Sequence, residues 1–437
     1  MSLDRDTVSL TENYVWRPFT QAQTAAPPVP VARAYGCTLE AEDGRQYLDL
    51  MSSWWVNLHG HANPVIAEAV AAQARTLEQV IFADFTHAPA ATLAARLAGV
   101  LPGDLSRTFY SDDGSTAVEV ALKICRQYWR NKGQPRRARI LAFDGGYHGD
   151  TVGAMSAGVG SGFYEPFADW LFPVDRLPFP ATWNDDEGVD AKEAAALAAL
   201  DGWLARHGDE AAAFIAEPLV QGASGMRYCR PKFLRAAVEK LRAAGVLIVF
   251  DEVMTGFGRL GTLFAAEKVG LAPDVVCLSK GLTGGFLPLS ATVVTPAVYE
   301  AFLDGSFDRA FAHGHSFTAN PLGCAAALAS LDITTSEECA AARQAIEARH
   351  VEGIAALSRH PKLTRGRVMG TIAAIEAKDG GEYAGDLSRR LKRYFLDRGL
   401  LIRPLGSVLY LLPPYCISPE DLDRAYAALA SAADDVL

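Results

Sequence analysis

The run Val246-Leu-Ile-Val-Phe250, closed by Asp251-Glu252, restricts the fold more than any other stretch of the chain. Five consecutive apolar residues cannot alternate between core and solvent, so they predict a strand buried on both faces. Such strands belong to parallel sheets flanked by helices, and the carboxylates then emerge at the open end of the sheet. Further short strands are expected at Arg107–Tyr110, Ile140–Phe143, Ala213–Ala216 and Asp274–Leu278. Between and before them, residues 64–77, 90–101 and 115–131 read as helices. This alternation predicts an α/β fold with a mostly parallel central sheet and helices on both faces.

The two ends of the chain read differently. Residues 1–60 suggest short strands and turns, with a Pro-rich break at Ala25–Pro30 and Asp43-Gly44 as the turn of a hairpin. After Ala319-Asn-Pro, an Ala-rich segment predicts one extended helix, and residues 332–437 return to α+β character. The expected layout is a large domain over 61–331 and a small α+β domain assembled from 1–60 and 332–437. Half of the 437 residues are hydrophobic, enough for a large core. A formal charge of −10 excludes a general nucleic-acid surface. No apolar run reaches the roughly 18 residues that cross a bilayer, and Met1–Asp6 is polar, unlike a secretory signal. Seven scattered cysteines without a Cys-x-x-Cys pair fit reduced thiols, so a cytoplasmic protein is expected.

Several polar motifs fall at strand ends. Ser279-Lys280-Gly281 follows one apolar strand, and Asp251 ends another. A lysine and an aspartate delivered to one crevice are what pyridoxal 5'-phosphate (PLP) chemistry needs. The amine holds the cofactor as a Schiff base, and the carboxylate keeps the pyridine nitrogen protonated so that the ring accepts electrons. Two solvated strand ends are the simpler alternative. Ser111-Asp-Asp-Gly114-Ser115 precedes a helix, where small residues and free amides suit a phosphate; an ordinary helix cap uses the same residues. Tyr147 lies in the glycine-dense loop Gly145–Asp150, which suits stacking on a flat ring or a surface turn with a half-buried tyrosine. Glu217-Pro218 suits either a carboxylate aimed from a strand end or a structural turn. The Trp54-Trp55 pair suits an apolar pocket or the core. Arg403 suits a bidentate hold on a carboxylate or a surface ion pair. The loop His313–Thr318 could reach a phosphate from a partner subunit. His59, His61, His313 and His315 lack carboxylate or cysteine company at ligand spacing, so no metal is expected. The first strands carry no G-x-G-x-x-G fingerprint and no P-loop.

From about residue 13 to 417 the chain resembles the class III (subgroup II) PLP-dependent aminotransferases. The resemblance is carried by Asp251–Arg259, Ser279-Lys280-Gly281 and His313–Phe317. It implies fold type I and a homodimer with shared active sites. Lys280 then forms the Schiff base and shuttles protons, Asp251 pairs with the pyridine nitrogen, and Tyr147 stacks on the ring and contacts substrate. Gly114 and Ser115 hold the phosphate, joined by His315 and Ser316 of the partner subunit. Narrower segments, Trp16–Gln21, Met51–Trp55, Tyr147–Thr151, Leu282–Leu289 and Leu412–Tyr415, resemble the branch of biotin synthesis that aminates 8-amino-7-oxononanoate. That branch implies a small-molecule pocket of Phe19, Trp54, Gly314, Arg403 and Tyr410, with Arg403 on the acceptor carboxylate. It also implies S-adenosylmethionine as amino donor. Many members carry Tyr where this chain has Phe19, whose ring offers no hydroxyl. Lysine therefore stays open as donor, and so does an omega-amino-acid or diamine aminotransferase on the same scaffold.

Overall fold

The central sheet has seven strands: β1 (Arg107–Ser111), β2 (Arg139–Phe143), β3 (Asp175–Leu177), β4 (Ala211–Ala216), β5 (Leu247–Asp251), β6 (Val275–Leu278) and β7 (Ser290–Val294). They appear in a computed structural model that describes residues 6–158, 164–383 and 385–437. The Met1–Arg5 part of the polar amino-terminal stretch lies outside these. The spatial order is β1-β7-β6-β5-β4-β2-β3. β5 stands at the centre, pairing in parallel with β4 through Val249↔Ile215 and with β6 through Val249↔Val275. All five of its residues are buried, as an unbroken apolar run requires. β7 alone runs against the others. The connection 279–289 holds only a tight helical turn, Lys280–Thr283. A parallel return needs a crossover of about a dozen residues or more, usually a helix, so this strand comes back antiparallel.

Helix α1 (Gly114–Asn131) starts where β1 ends. The Asp113 carboxylate accepts from Thr116 N at 2.9 Å, and the Thr116 hydroxyl accepts from Asp113 N at 2.9 Å, a reciprocal cap. The helix buries Val118, Ala121, Cys125 and Trp129 on its sheet face.

The Ala-rich segment ahead of residue 332 is one helix, α2 (Pro321–Thr334), and a second, α3 (Glu337–Leu357), follows it. Ser336 separates them because its hydroxyl accepts from Cys339 N at 3.1 Å and starts the new helix. Arg343 then donates to the Thr334 carbonyl at 2.9 Å and satisfies the end of α2. One expectation, of only strands and turns before residue 60, needs correction. The amino-terminal region also holds a helix, Thr7–Tyr14, capped by Asp6. It buries no residue and therefore carries no apolar period to read.

Two smaller sheets join distant parts of the chain. The hairpin of Thr38–Ala41 and Gln46–Asp49 forms as its Asp-Gly turn predicts. Leu400–Leu401 adds to it in parallel, with Leu400 opposite Leu48. Leu363–Met369, Ile372–Ala377 and Val408–Leu411 form a second antiparallel sheet.

Candidate active site

The carboxyl ends of β1, β2, β4, β5 and β6 deliver polar residues to one edge of the sheet, where α/β folds bind ligands. Asp251 is the last residue of β5, and Lys280 follows β6 in the tight turn with φ +45°. This left-handed conformation costs free energy for a side-chain-bearing residue, and it throws the amine off the strand direction. Gly114 and Ser115 begin α1 after β1, the Gly145–Asp150 loop follows β2, and Glu217 follows β4. These residues surround a cavity of about 750 Å³.

The Asp251 carboxylate is 4% exposed. Its Oδ2 stands 2.7 Å from Nδ1 of the buried His148, and its Oδ1 accepts from Val253 N at 3.1 Å. A carboxylate only accepts, so the Nδ1 proton lies towards Asp251. The Lys280 amine stands 4.9 Å over the Trp55 ring. Burial pushes its pKa below the usual lysine range, with Asp251 and Glu217 opposing and Arg259 adding to the fall. A lysine so placed carries more neutral, nucleophilic amine.

Glu217 accepts from Tyr147 N at 2.9 Å and Gly222 N at 3.0 Å, which fixes the backbone of the tyrosine. Burial pushes its pKa up to about 7, with His148 opposing and Asp251 adding. The Tyr147 hydroxyl donates to Asp150 Oδ2 at 3.0 Å, and its ring lies 21° from parallel to Tyr164. Burial raises the phenol's pKa, so it stays protonated. Trp55 Nε1 donates to the Tyr410 hydroxyl at 3.0 Å.

At the start of α1, crowding dictates small residues. A Cβ on Gly149, whose φ is +121°, would fall 2.7 Å from the Ser115 Cα. Ser115 Oγ accepts from Thr151 N at 3.0 Å and lies 2.8 Å from the Thr151 hydroxyl. First-turn amides of this 18-residue helix lack intrahelical partners and meet the cavity at its positive end. An amine for an aldehyde, a buried carboxylate for a ring nitrogen and a helix start for a phosphate share one enclosure. These residues fit pyridoxal phosphate.

Opposing side chains also meet around Arg403. Its guanidinium lies 5.1 Å from the Trp54 ring, which packs 5.7 Å from Phe19, and Nη2 donates to the Tyr383 hydroxyl at 3.1 Å. Among the described residues no carboxylate stands within 4 Å of it. Arg259, 1% exposed, donates to the carbonyls of Asn57 and Pro413 and so holds the segment that carries Trp54 and Trp55.

The cavity thus brings together Lys280, Asp251 and Tyr147 with Gly114 and Ser115, and on the same walls Phe19, Trp54, Arg403 and Tyr410. Gly314, His315 and Ser316 do not line it. His315 Nδ1 sits 2.8 Å from Asp112 Oδ2, and the Ser316 carbonyl accepts from Gln79. Among the cavity residues left without a role by the sequence, His148 and Tyr383 stand out. His148 lies beside Tyr147 in the glycine loop, where a strand-end histidine was signal enough. Tyr383 sits in the polar stretch Lys378–Gly385, which carries no pattern at all.

The chain belongs to the class-III aminotransferases, whose family profile matches residues 19–433. That class depends on PLP, and the mixed, mostly parallel sheet is its fold type I architecture. Within the class, a Synechococcus elongatus protein named adenosylmethionine-8-amino-7-oxononanoate aminotransferase is 55% identical over 97% of this chain and 99% of its own length. A crystal structure of that name from Methanocaldococcus jannaschii is similar with TM-score 0.90 at 31% identity, covering 98% of both chains. An amine transaminase from an uncultivated Pseudomonas species, in its PLP-bound form, is similar with TM-score 0.89 at 30% identity, covering 97% and 98%.

Proposed function

We propose that this aminotransferase converts 8-amino-7-oxononanoate to 7,8-diaminononanoate in biotin biosynthesis, with S-adenosylmethionine as amino donor. The observation that carries the reading is Arg403, a cation without a carboxylate partner among the described residues, set in the same cavity as Lys280. A ketone acceptor with an anionic end matches those two groups. The names of the relatives support the same acceptor.

Lys280 would hold the cofactor's aldehyde, Asp251 its ring nitrogen, and Gly114, Ser115 and the first-turn amides of α1 its phosphate. Bound there, PLP supplies an electron sink for the carbon that loses or gains a proton. Lys280 removes the proton from the amine-bearing carbon of the donor and returns one to the former keto carbon of the acceptor. His148 holds the Asp251 carboxylate in place through its 2.7 Å contact. Glu217 and Asp150 fix Tyr147 at backbone and hydroxyl, and the buried walls exclude water from the proton transfers. Phe19 presents only an apolar ring to the pocket, which makes lysine the second reading of the donor.

The active form in this reading is a cytoplasmic homodimer, in which the partner subunit's Gly314, His315 and Ser316 complete the cavity. Support comes from an apolar surface beside that loop, where Phe317, Ile81 and Phe85 are each more than 60% exposed. Among the described residues no helix is long and apolar enough to cross a membrane.

The test follows the visible absorbance of the cofactor. S-adenosylmethionine alone removes the aldehyde band, and 8-amino-7-oxononanoate restores it. Bleaching by lysine alone transfers the donor role to lysine, and response to neither overturns the reading. Lys280→Ala is expected to lower turnover by roughly 10⁴-fold or more, with an unchanged circular dichroism spectrum.

A further inference from the structure

Among the described residues Arg403 has one polar side-chain hydrogen-bond partner, and that partner is neutral. Tyr383 accepts from Nη2 at 3.1 Å, and its ring lies 5.9 Å from the guanidinium, which is also 5.1 Å from the Trp54 ring. We propose that Tyr383 is a positioning residue for Arg403, fixing the guanidinium fork that selects an acceptor ending in a carboxylate. The inference rests on the reading of Arg403 given above.

Charge explains why a phenol serves here. A carboxylate in the place of Tyr383 would hold the guanidinium more tightly and would compete with the acceptor's own carboxylate. The hydroxyl occupies one of five N–H donors and leaves the charge unneutralised. It also removes rotamers that the long side chain would otherwise lose when substrate binds, and pre-paid order of this kind strengthens binding.

The backbone supports the arrangement. Tyr383 lies between strand Ile372–Ala377 and helix Asp386–Leu396, and Arg403 follows strand Leu400–Leu401. The two segments are fastened on both sides of the contact. Ala377 N donates to the Ser407 carbonyl at 2.9 Å, and Ser388 Oγ donates to the Pro404 carbonyl at 3.4 Å. Gly406, at φ +63°, packs so closely that a Cβ would fall 2.5 Å from the Gly381 carbonyl oxygen. Tyr383 is thus tied to the turn it orients and does not float above it. Proximity to Lys280 through a shared cavity makes the alignment matter, since the far end of the acceptor fixes where its ketone falls.

Tyr383→Phe keeps the ring and removes the oxygen. With 8-amino-7-oxononanoate its KM rises about tenfold while kcat stays within about twofold, as loss of one charge-assisted hydrogen bond predicts. With the methyl ester of the same acceptor, variant and parent have equal KM. Calorimetric titration of the acid into Lys280→Ala and Lys280→Ala/Tyr383→Phe gives the same tenfold ratio in Kd without turnover. An unchanged KM for the acid, or equal losses on acid and ester, overturns the inference. Arg403→Met separates the two layers of the argument. If it discriminates acid from ester while Tyr383→Phe does not, only the role of Tyr383 falls. If Arg403→Met treats acid and ester alike, the carboxylate reading of Arg403 fails and takes this inference with it.

Discussion

Asp251 and Glu252 are neighbours with opposite destinations, because successive side chains of a strand point to opposite faces. Asp251 turns into the cavity. Glu252 turns away and accepts from Ala265 N at 2.8 Å and Ala266 N at 2.9 Å, capping the short helix Ala265–Val269. Burial raises its pKa to about 7, with those two amides opposing. The native state therefore keeps this proton while the unfolded chain, near its ordinary value of 4.5, has released it. Between pH 4.5 and 7 the folded form binds more protons, so this residue lowers stability as pH rises and stops doing so above about 7. Glu252→Gln is expected to remove about one proton's worth of that slope, read as the difference in melting temperature between variant and parent across this range. An identical pH dependence in the two proteins refutes the assignment. The motif Asp251-Glu252 was visible in sequence, but only the aspartate's delivery to the open end of the sheet was. Its chemistry is set by where a strand ends, whereas the glutamate answers to amides more than ten residues away that no local pattern marks.

At the scale of elements, period and run length told most of the story. Unbroken apolar runs marked the buried strands, and the Asp-Gly turn marked the hairpin. β7, Ser290-Ala-Thr-Val-Val294, was not among the expected strands, since its serine and threonine interrupt the apolar run even though all five residues are buried. The break between α2 and α3 rests on one serine hydroxyl inside a run of good helix formers, a few residues past the change of character expected at 332. The start of α1 was legible through its small residues. There, an added Cβ on Gly114 would lie 2.6 Å from Val253 Cγ1, two residues beyond Asp251. Gly114→Ala is therefore expected to leave the helix intact and to weaken PLP retention by about tenfold. Absorbance titration of the cofactor-free protein measures this; equal affinity would remove the helix start from the phosphate site.

Across the whole molecule, the cavity wall that carries Trp54, Arg403 and Tyr410 is a meeting of early and late segments of the chain. Trp55 is tied to Tyr410, Ser52 Oγ donates to the Leu412 carbonyl at 2.8 Å, and Leu48 lies opposite Leu400. The expectation of a small domain built from both termini did not reach Tyr383, which joins the cavity only through this assembly. A chain ending at Arg398 leaves Gln46–Asp49 as an open edge and removes Arg403 and Tyr410. It is expected to accumulate as aggregate with no cofactor band, measured as the pelleted fraction on expression; a dispersed, yellow truncated protein would contradict this. The parallel pairing of Leu48 with Leu400 has a further consequence in time. Trp55 leaves the ribosome 355 residues before its partner Tyr410. While translation proceeds, the early strands wait without their final neighbour, and this wall of the cavity closes only once the later segment has been made.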